Sequence, residues 1–168
     1  MIFVTVGTHE QPFNRLIEYI DRSVEKGDIT EEVMVQTGYS TYEPRYCKWK
    51  KFLSYKEMQR NIEQARIVIT HGGPSSFIAP LQIGKIPIIV PRKHELNEHV
   101  NDHQVDFCKA VKERMGTIIV VEEIDGLGEI IKDYDKIVEG MGKGVKSNND
   151  RFCLGFEKIV REMCRGDR

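Results

Sequence analysis

Short apolar runs alternate along this chain with stretches in which apolar residues recur every three or four positions. The first kind predicts buried strands, the second amphipathic helices packed against them. Ile2-Phe3-Val4-Thr5-Val6 is a strand, and Gly7-Thr8 ends it. Pro12 sits near a helix start, after which Phe13, Leu16, Ile17, Ile20 and Val24 recur at helical spacing. Glu32 to Thr37 is a second short strand, and Trp49, Phe52 and Leu53 suggest another near the end of 39–54. Ser54-Tyr55-Lys56-Glu57 is a capping box, opening a helix with Tyr55, Met58 and Ile62 inward. A strand at 67–70, a helix from Pro74 to about Ile83 with Gly84 as its stop, and a strand from Ile86 to Val90 follow. After a loop from Arg92 to about Asn97, a helix begins near Glu98, with Gln104, Phe107, Cys108 and Val111 on one stripe. Thr117 to Val121 is a late strand, with a helix near 123–133. A loop from Gly140 to Asn149 precedes a last amphipathic helix at 150–164, carrying Phe152, Phe156, Ile159, Val160 and Met163.

This alternation predicts an α/β fold: a Rossmann-like parallel sheet with helices on both faces, in one domain over residues 1–168. In such sheets ligands bind beyond the carboxyl ends of the strands. Three polar clusters would meet there: Gly7-Thr8-His9, the turn from His71 to Ser76, and Asn97 to Gln104.

Composition narrows the setting. A net charge of -1 gives no global pull towards nucleic acid or membrane. Cys47, Cys108, Cys153 and Cys164 show no CxxC pairing and fit reduced thiols. No apolar run approaches the ~18 residues that span a bilayer, and the first residues are a strand rather than a signal peptide. A cytoplasmic protein is the expectation. Arg45, Lys48, Lys50, Lys51, Lys56 and Arg60 form a local basic excess, either a solvated face or one turned to an anionic membrane or a partner.

The strongest chemical signal is His71-Gly72-Gly73-Pro74-Ser75-Ser76. A strand, two glycines and a proline at the first helical position place backbone N–H groups and a helix's positive end together, an arrangement suited to an anion. The glycines would let backbone approach the ligand, and Ser75 and Ser76 would add hydroxyls. The bland alternative is an ordinary strand-to-helix turn. Gly7 lacks a following GxGxxG, so a nicotinamide or flavin cofactor is not expected. Asn101-Asp102-His103-Gln104 is either a ligand contact or a polar helix start with capping roles. His94, Glu98 and His99 match neither HExxH nor HxxEH. His99 and His103, four apart, leave a zinc site as a minor alternative, in which His94, His99 and His103 would serve a metal hydrolase. Gly140 to Ser147 fails the P-loop spacing.

Val4-Thr5-Val6-Gly7-Thr8, Thr70-His71-Gly72-Gly73 and the Pro91 to Gln104 segment together resemble the C-terminal, donor-binding domain of family 28 glycosyltransferases. More closely, the chain looks like the soluble subunit of two-subunit glycosyltransferases. The stretch from Glu98 to Gln104 is most similar to the bacterial branch that builds capsular polysaccharide or exopolysaccharide. The resemblance covers about residues 1–121 and implies half of a GT-B enzyme. It implies that His71, Gly72, Gly73, Pro74, Ser75 and Ser76 hold a nucleotide diphosphate, that Asp102 and Gln104, with His103 between, meet the donor sugar, and that Gly7 and Thr8 form the first-strand turn. Where single-chain relatives carry a ribose-binding glutamate this sequence has Ala79, which leaves Glu98 as a substitute.

The resemblance further implies a UDP-sugar donor, a lipid-linked acceptor and a membrane-anchored partner subunit that completes the active site and holds the chain at the membrane. Helix-end stabilisation of departing UDP would replace a metal ion, so no metal or cofactor is expected. The general base is unassigned, with His9 a weak candidate. The alternative is a non-catalytic accessory subunit that activates a separate transferase.

Overall fold

The computed structural model describes residues 1–141, together with Leu154, Glu157 and Arg161. The strands are β1 (Ile2–Thr5), β2 (Val33–Gln36), β3 (Lys48–Lys50), β4 (Ile67–Thr70), β5 (Ile88–Ile89) and β6 (Ile119–Val120). They form one six-stranded sheet in the order β3-β2-β1-β4-β5-β6, and every pairing is parallel. This order, with its reversal at β1 and β4, is that of the doubly wound Rossmann sheet. The predicted fold class is therefore the observed one.

The period-two pattern of β1 explains the two faces. Ile2, Val4 and Val6 enter the larger core with Phe13, Leu16, Ile17 and Ile20 of α1 (Asn14–Glu25) and its approach. Leu127 and Ile131 of α5 (Leu127–Lys132) and Tyr134 of α6 (Tyr134–Gly140) close that layer. Phe3 points the other way, onto Ile62 and Ala65 at the end of α2 (Tyr55–Gln64). Further along that face Phe77 and Leu81 of α3 (Pro74–Gln82) meet Cys108 of α4 (His103–Met115) over Ile89.

Local signals decided most boundaries. Ser54 and Glu57 form the predicted reciprocal cap of α2. At its other end the Lys85 ammonium donates to the carbonyls of Ile62 (2.7 Å), Glu63 and Ala65 (2.6 Å), satisfying oxygens that a helix end leaves open. The sequence did not suggest α6, whose Tyr134 hydroxyl donates to the Ile86 carbonyl across the core (2.6 Å). The first turn of α2 is also a correction: Tyr55 is 75% exposed, not inward. Of the predicted helix at 150–164 only Leu154, Glu157 and Arg161 are described, each helical, and most of the loop before it lies outside the described residues.

The helix expected from Glu98 begins instead at His103. Residues 94–96 make a single tight turn that ends on Asn97 in the left-handed region (φ 56°). Glu98 then turns inward onto Arg15, and α4 begins five residues later.

Candidate functional site

The site is built where β1, β4 and β5 end. After β1, Gly7 turns with φ 75°. The Gln36 amide donates to its carbonyl (3.3 Å), its own N–H donates to Thr5 Oγ1 (3.3 Å), and Thr5 donates to the Gln36 side-chain oxygen. Two polar side chains at neighbouring strand ends thus hold the turn in one shape.

His71 sits between this turn and the one after β4. Its ring is buried, and Gly7 and Gly73 leave the space that it fills. A Cβ on Gly7 would lie 2.4 Å from His71 Nε2, and one on Gly73 would lie 2.2 Å from His71 Cε1. Gly72 makes room for Gln104, whose Cβ would be 2.8 Å away. What these glycines admit in this structure is side chains of the protein itself. Two expected anion donors are likewise spent. Gly72 N–H donates to Gln104 Oε1 (3.0 Å) and Gly73 N–H to His71 Nδ1 (3.0 Å).

That last bond assigns the tautomer. Nδ1 accepts, so the proton sits on Nε2, which lies 2.8 Å from Ser76 Oγ and donates to it. Burial, followed by the nearby positive charge of Arg92, pushes the imidazole pKa down to about 4, keeping the ring neutral. Ser76 Oγ is occupied as an acceptor, so its hydrogen is free to donate elsewhere. Pro74 at the first position of α3 has no N–H to satisfy, and Ser75 follows where a helix's first-turn donors are open.

Beside these hydroxyls opens a cleft of about 680 Å³ between α2 and α3. Gly7, Thr8, His9, His71, Ser75, Ser76 and Ala79 line it. Sequence reasoning missed its other wall, which Tyr55, Met58 and Gln59 of α2 supply, and its floor at Thr5 and Gln36. No carboxylate stands at Ala79. Glu63 is the one carboxylate on the cleft's walls among the described residues. His9 packs edge-on against His99, with ring centroids 4.6 Å apart. Desolvation, then His99 and Arg92, lower the His9 pKa below its ordinary value.

The cluster after β5 behaves differently. Glu98 is buried, accepting from Arg15 Nε (2.9 Å) and Nη2 (2.8 Å) and from Lys93 N–H (3.0 Å). Both its oxygens are engaged by the protein itself. Gln104 Oε1 accepts from Gly72 and, at 3.3 Å, from Arg92 N–H, tying the β4 and β5 ends together. Asp102 accepts from His94 N–H (2.9 Å) and His103 N–H donates to Asn101 Oδ1 (3.2 Å), both residues being exposed at the head of α4. None of Glu98, Asp102, His103 and Gln104 lines the cleft. His94 Nδ1 turns to the His99 carbonyl, and no three metal-capable side chains converge among the described residues.

Arg92, which no sequence pattern singled out, anchors this region. It is 1% exposed, and its guanidinium donates to the carbonyls of Val6 (2.8 Å), Gln11 (2.8 Å) and Glu98 (2.9 Å). It stacks over Phe13, 4.8 Å from the ring centre, and burial lowers its pKa to about 10. One buried cation thereby joins the β1 end, the following loop and the β5 loop beneath the cleft.

Comparison with known proteins places this geometry. The glycosyltransferase family 28 C-terminal domain model matches residues 1–140. No curated protein matches the chain. Among solved structures, the glycosyltransferase SnogD from Streptomyces nogalater superposes with a TM-score of 0.56 at 17% identity, over 79% of this chain and 34% of that one. The glycotransferase of kitacinnamycin gives a TM-score of 0.52 at 15% identity, with the same coverages of 79% and 34%. At such identities the likeness is one of fold, and the chain spans about a third of either neighbour. With most of its length matched, the chain belongs to the glycosyltransferase family 28 C-terminal domain family.

Proposed function

We propose that this chain is the donor-binding half of a glycosyltransferase. It would move a sugar from a UDP-sugar, with inversion, to a lipid-linked acceptor in capsular or exopolysaccharide assembly, together with a membrane-anchored partner subunit. The observation that carries the donor site is the Ser76 hydroxyl, held by neutral His71 so that its hydrogen is free beside the cleft. A diphosphate set against Ser75, Ser76 and the positive end of α3 meets hydroxyl and helix-end donors. These strengthen their grip as UDP departs and its charge grows, which is how such a site lowers the barrier. His9 lines the cleft, its pKa lowered chiefly by desolvation, and is the residue we assign to take the acceptor's proton. Exposed Asp102 and His103 at the head of α4 are the outer contacts we assign to the donor sugar, with Gln104 placing that helix from below.

The test is calorimetric titration of the full chain with UDP. Ser76→Ala is expected to weaken binding about 10- to 100-fold, the cost of one hydrogen bond to a charged oxygen, while leaving the fold intact. A second reading, an accessory subunit without a donor site, is favoured by one observation: Ala79 stands on the cleft wall where a ribose-binding carboxylate is expected. Absence of UDP binding, both alone and with the partner subunit, would establish that reading and overturn ours.

A further inference from the structure

Residues 39–60 concentrate two kinds of exposed side chain that the site does not use. Of the six large aromatic residues that stand exposed among the described residues, five lie here: Tyr39, Tyr46, Trp49, Phe52 and Tyr55, with Phe107 the sixth. The basic excess from Arg45 to Arg60 falls on the same segment, with six cations against Glu43 and Glu57, although the chain as a whole carries a net charge of -1. The rest of the molecule is therefore acidic and this edge is basic.

The fold brings the two kinds together at one corner. Lys51 lies over the rings of Tyr39 and Phe52, 5.8 and 6.0 Å from their centres, and those rings meet edge-on at 5.2 Å. Lys50 pairs with Glu57 (2.8 Å), which sets β3 against the first turn of α2. Lys56 and Arg60 follow one helical turn apart on its exposed side. Lys51, Lys56 and Arg60 make no ion pair with the described residues. Tyr55 belongs both to this corner and to the cleft wall, so the patch borders the cleft's mouth.

We propose that this corner docks directly on an anionic lipid bilayer. Amphipathic rings and long lysine stems are the side chains that settle at the headgroup level, and unpaired cations draw negative lipid surfaces. A protein partner adding a strand is the poorer fit. β3 is the open edge of the sheet, but it carries the exposed lysines Lys48 and Lys50, a device that discourages edge pairing. Contact at this corner turns the cleft's mouth towards the bilayer surface without help from another protein. The inference does not depend on the transfer reading, since it rests on surface chemistry alone.

Co-sedimentation of the full chain with vesicles tests it. Binding is expected to vesicles of phosphatidylcholine with phosphatidylglycerol, to be about tenfold or more weaker on pure phosphatidylcholine, and to fall steeply in 0.5 M salt. Lys51→Gln and Lys56→Gln are each expected to cost about fivefold, and Phe52→Ser to lower binding further at every salt concentration. UDP titration of each variant separates the two proposals, because none of these residues lines the cleft. Unchanged vesicle binding in the double lysine variant, equal binding to neutral vesicles, or no binding to either would overturn the proposal. So would sedimentation that appears only when a membrane-anchored partner is present.

Discussion

Two turns at the same edge of the sheet looked alike in sequence and do opposite work. The turn after β4 (71–76) and the loop after β5 (91–104) both carry histidine, polar side chains and a following helix. The first presents Ser75 and Ser76 to open space. The second turns Arg92, Glu98 and Gln104 inward, where each is almost fully buried. The difference lies in what satisfies the polar groups. Around Arg92 and Glu98 the protein supplies nearly every partner, Arg92 Nε excepted, while Asp102 and His103 of the same loop stay exposed for the donor contact proposed above. At Ser76 one partner is supplied and one hydrogen is left over. A polar residue at a strand end is thus a site or a strut according to its remaining valence, which residue type alone does not reveal.

The largest effect that would break this comparison lies at Arg92. If the β5 loop is a strut, Arg92→Met strands the carbonyls of Val6, Gln11 and Glu98 in the interior. A buried unsatisfied group costs about 1–3 kcal/mol, and with Gln11 only partly buried a total loss towards the low end of the sum, about 3–5 kcal/mol, is expected in urea unfolding. A variant as stable as the wild type that binds UDP poorly would make Arg92 part of the site instead.

Some of this was legible beforehand, for local reasons. The capping box at Ser54, the apolar run of Ile2 to Val6 and the helix start at Pro74 are properties of neighbouring residues, so strands and most helices could be read. Arg92 and Glu98 could not. The guanidinium is held by carbonyls from three separate segments, and the carboxylate by an arginine 83 positions away. The left-handed Asn97 before Glu98, which breaks the helix expected there, was likewise not legible from spacing. Tyr55 fitted an inward stripe by spacing but stands in the first turn of α2, beside the open cleft rather than over the sheet. The glycines of the β4 turn were noticed, yet their purpose was visible only once the His71 ring was seen to fill the space beside them.

A comparable but pH-dependent effect is expected at His71. Its folded pKa of about 4 lies below its ordinary 6.5, so between these values the unfolded chain binds more protons than the folded one. Stability is then fully present above pH 6.5 and is lost as pH falls towards 4, by about 3 kcal/mol in all. The measurement is the difference in unfolding free energy between wild type and His71→Asn across that window, in which other groups cancel. A constant difference would mean that the ring is not held neutral, and the assignment of Ser76 as a free donor would go with it.

The smallest effect is also the sharpest, because it is a comparison within the comparison. Gly73 has φ -74°, a conformation open to any residue, so Gly73→Ala carries no backbone penalty. What it meets is the His71 ring, 2.2 Å from the new methyl. A loss of about 1–3 kcal/mol is expected from this overpacking alone. In a His71→Ala background the ring is absent, and the same substitution should cost almost nothing. A coupling of about 1 kcal/mol or more between the two positions in such a cycle shows that the glycine serves the histidine. If the losses instead add, and Gly73→Ala weakens UDP binding equally in both backgrounds, the glycine faces the ligand after all. The β4 turn would then act through its backbone, and the two turns would differ less than their buried partners indicate.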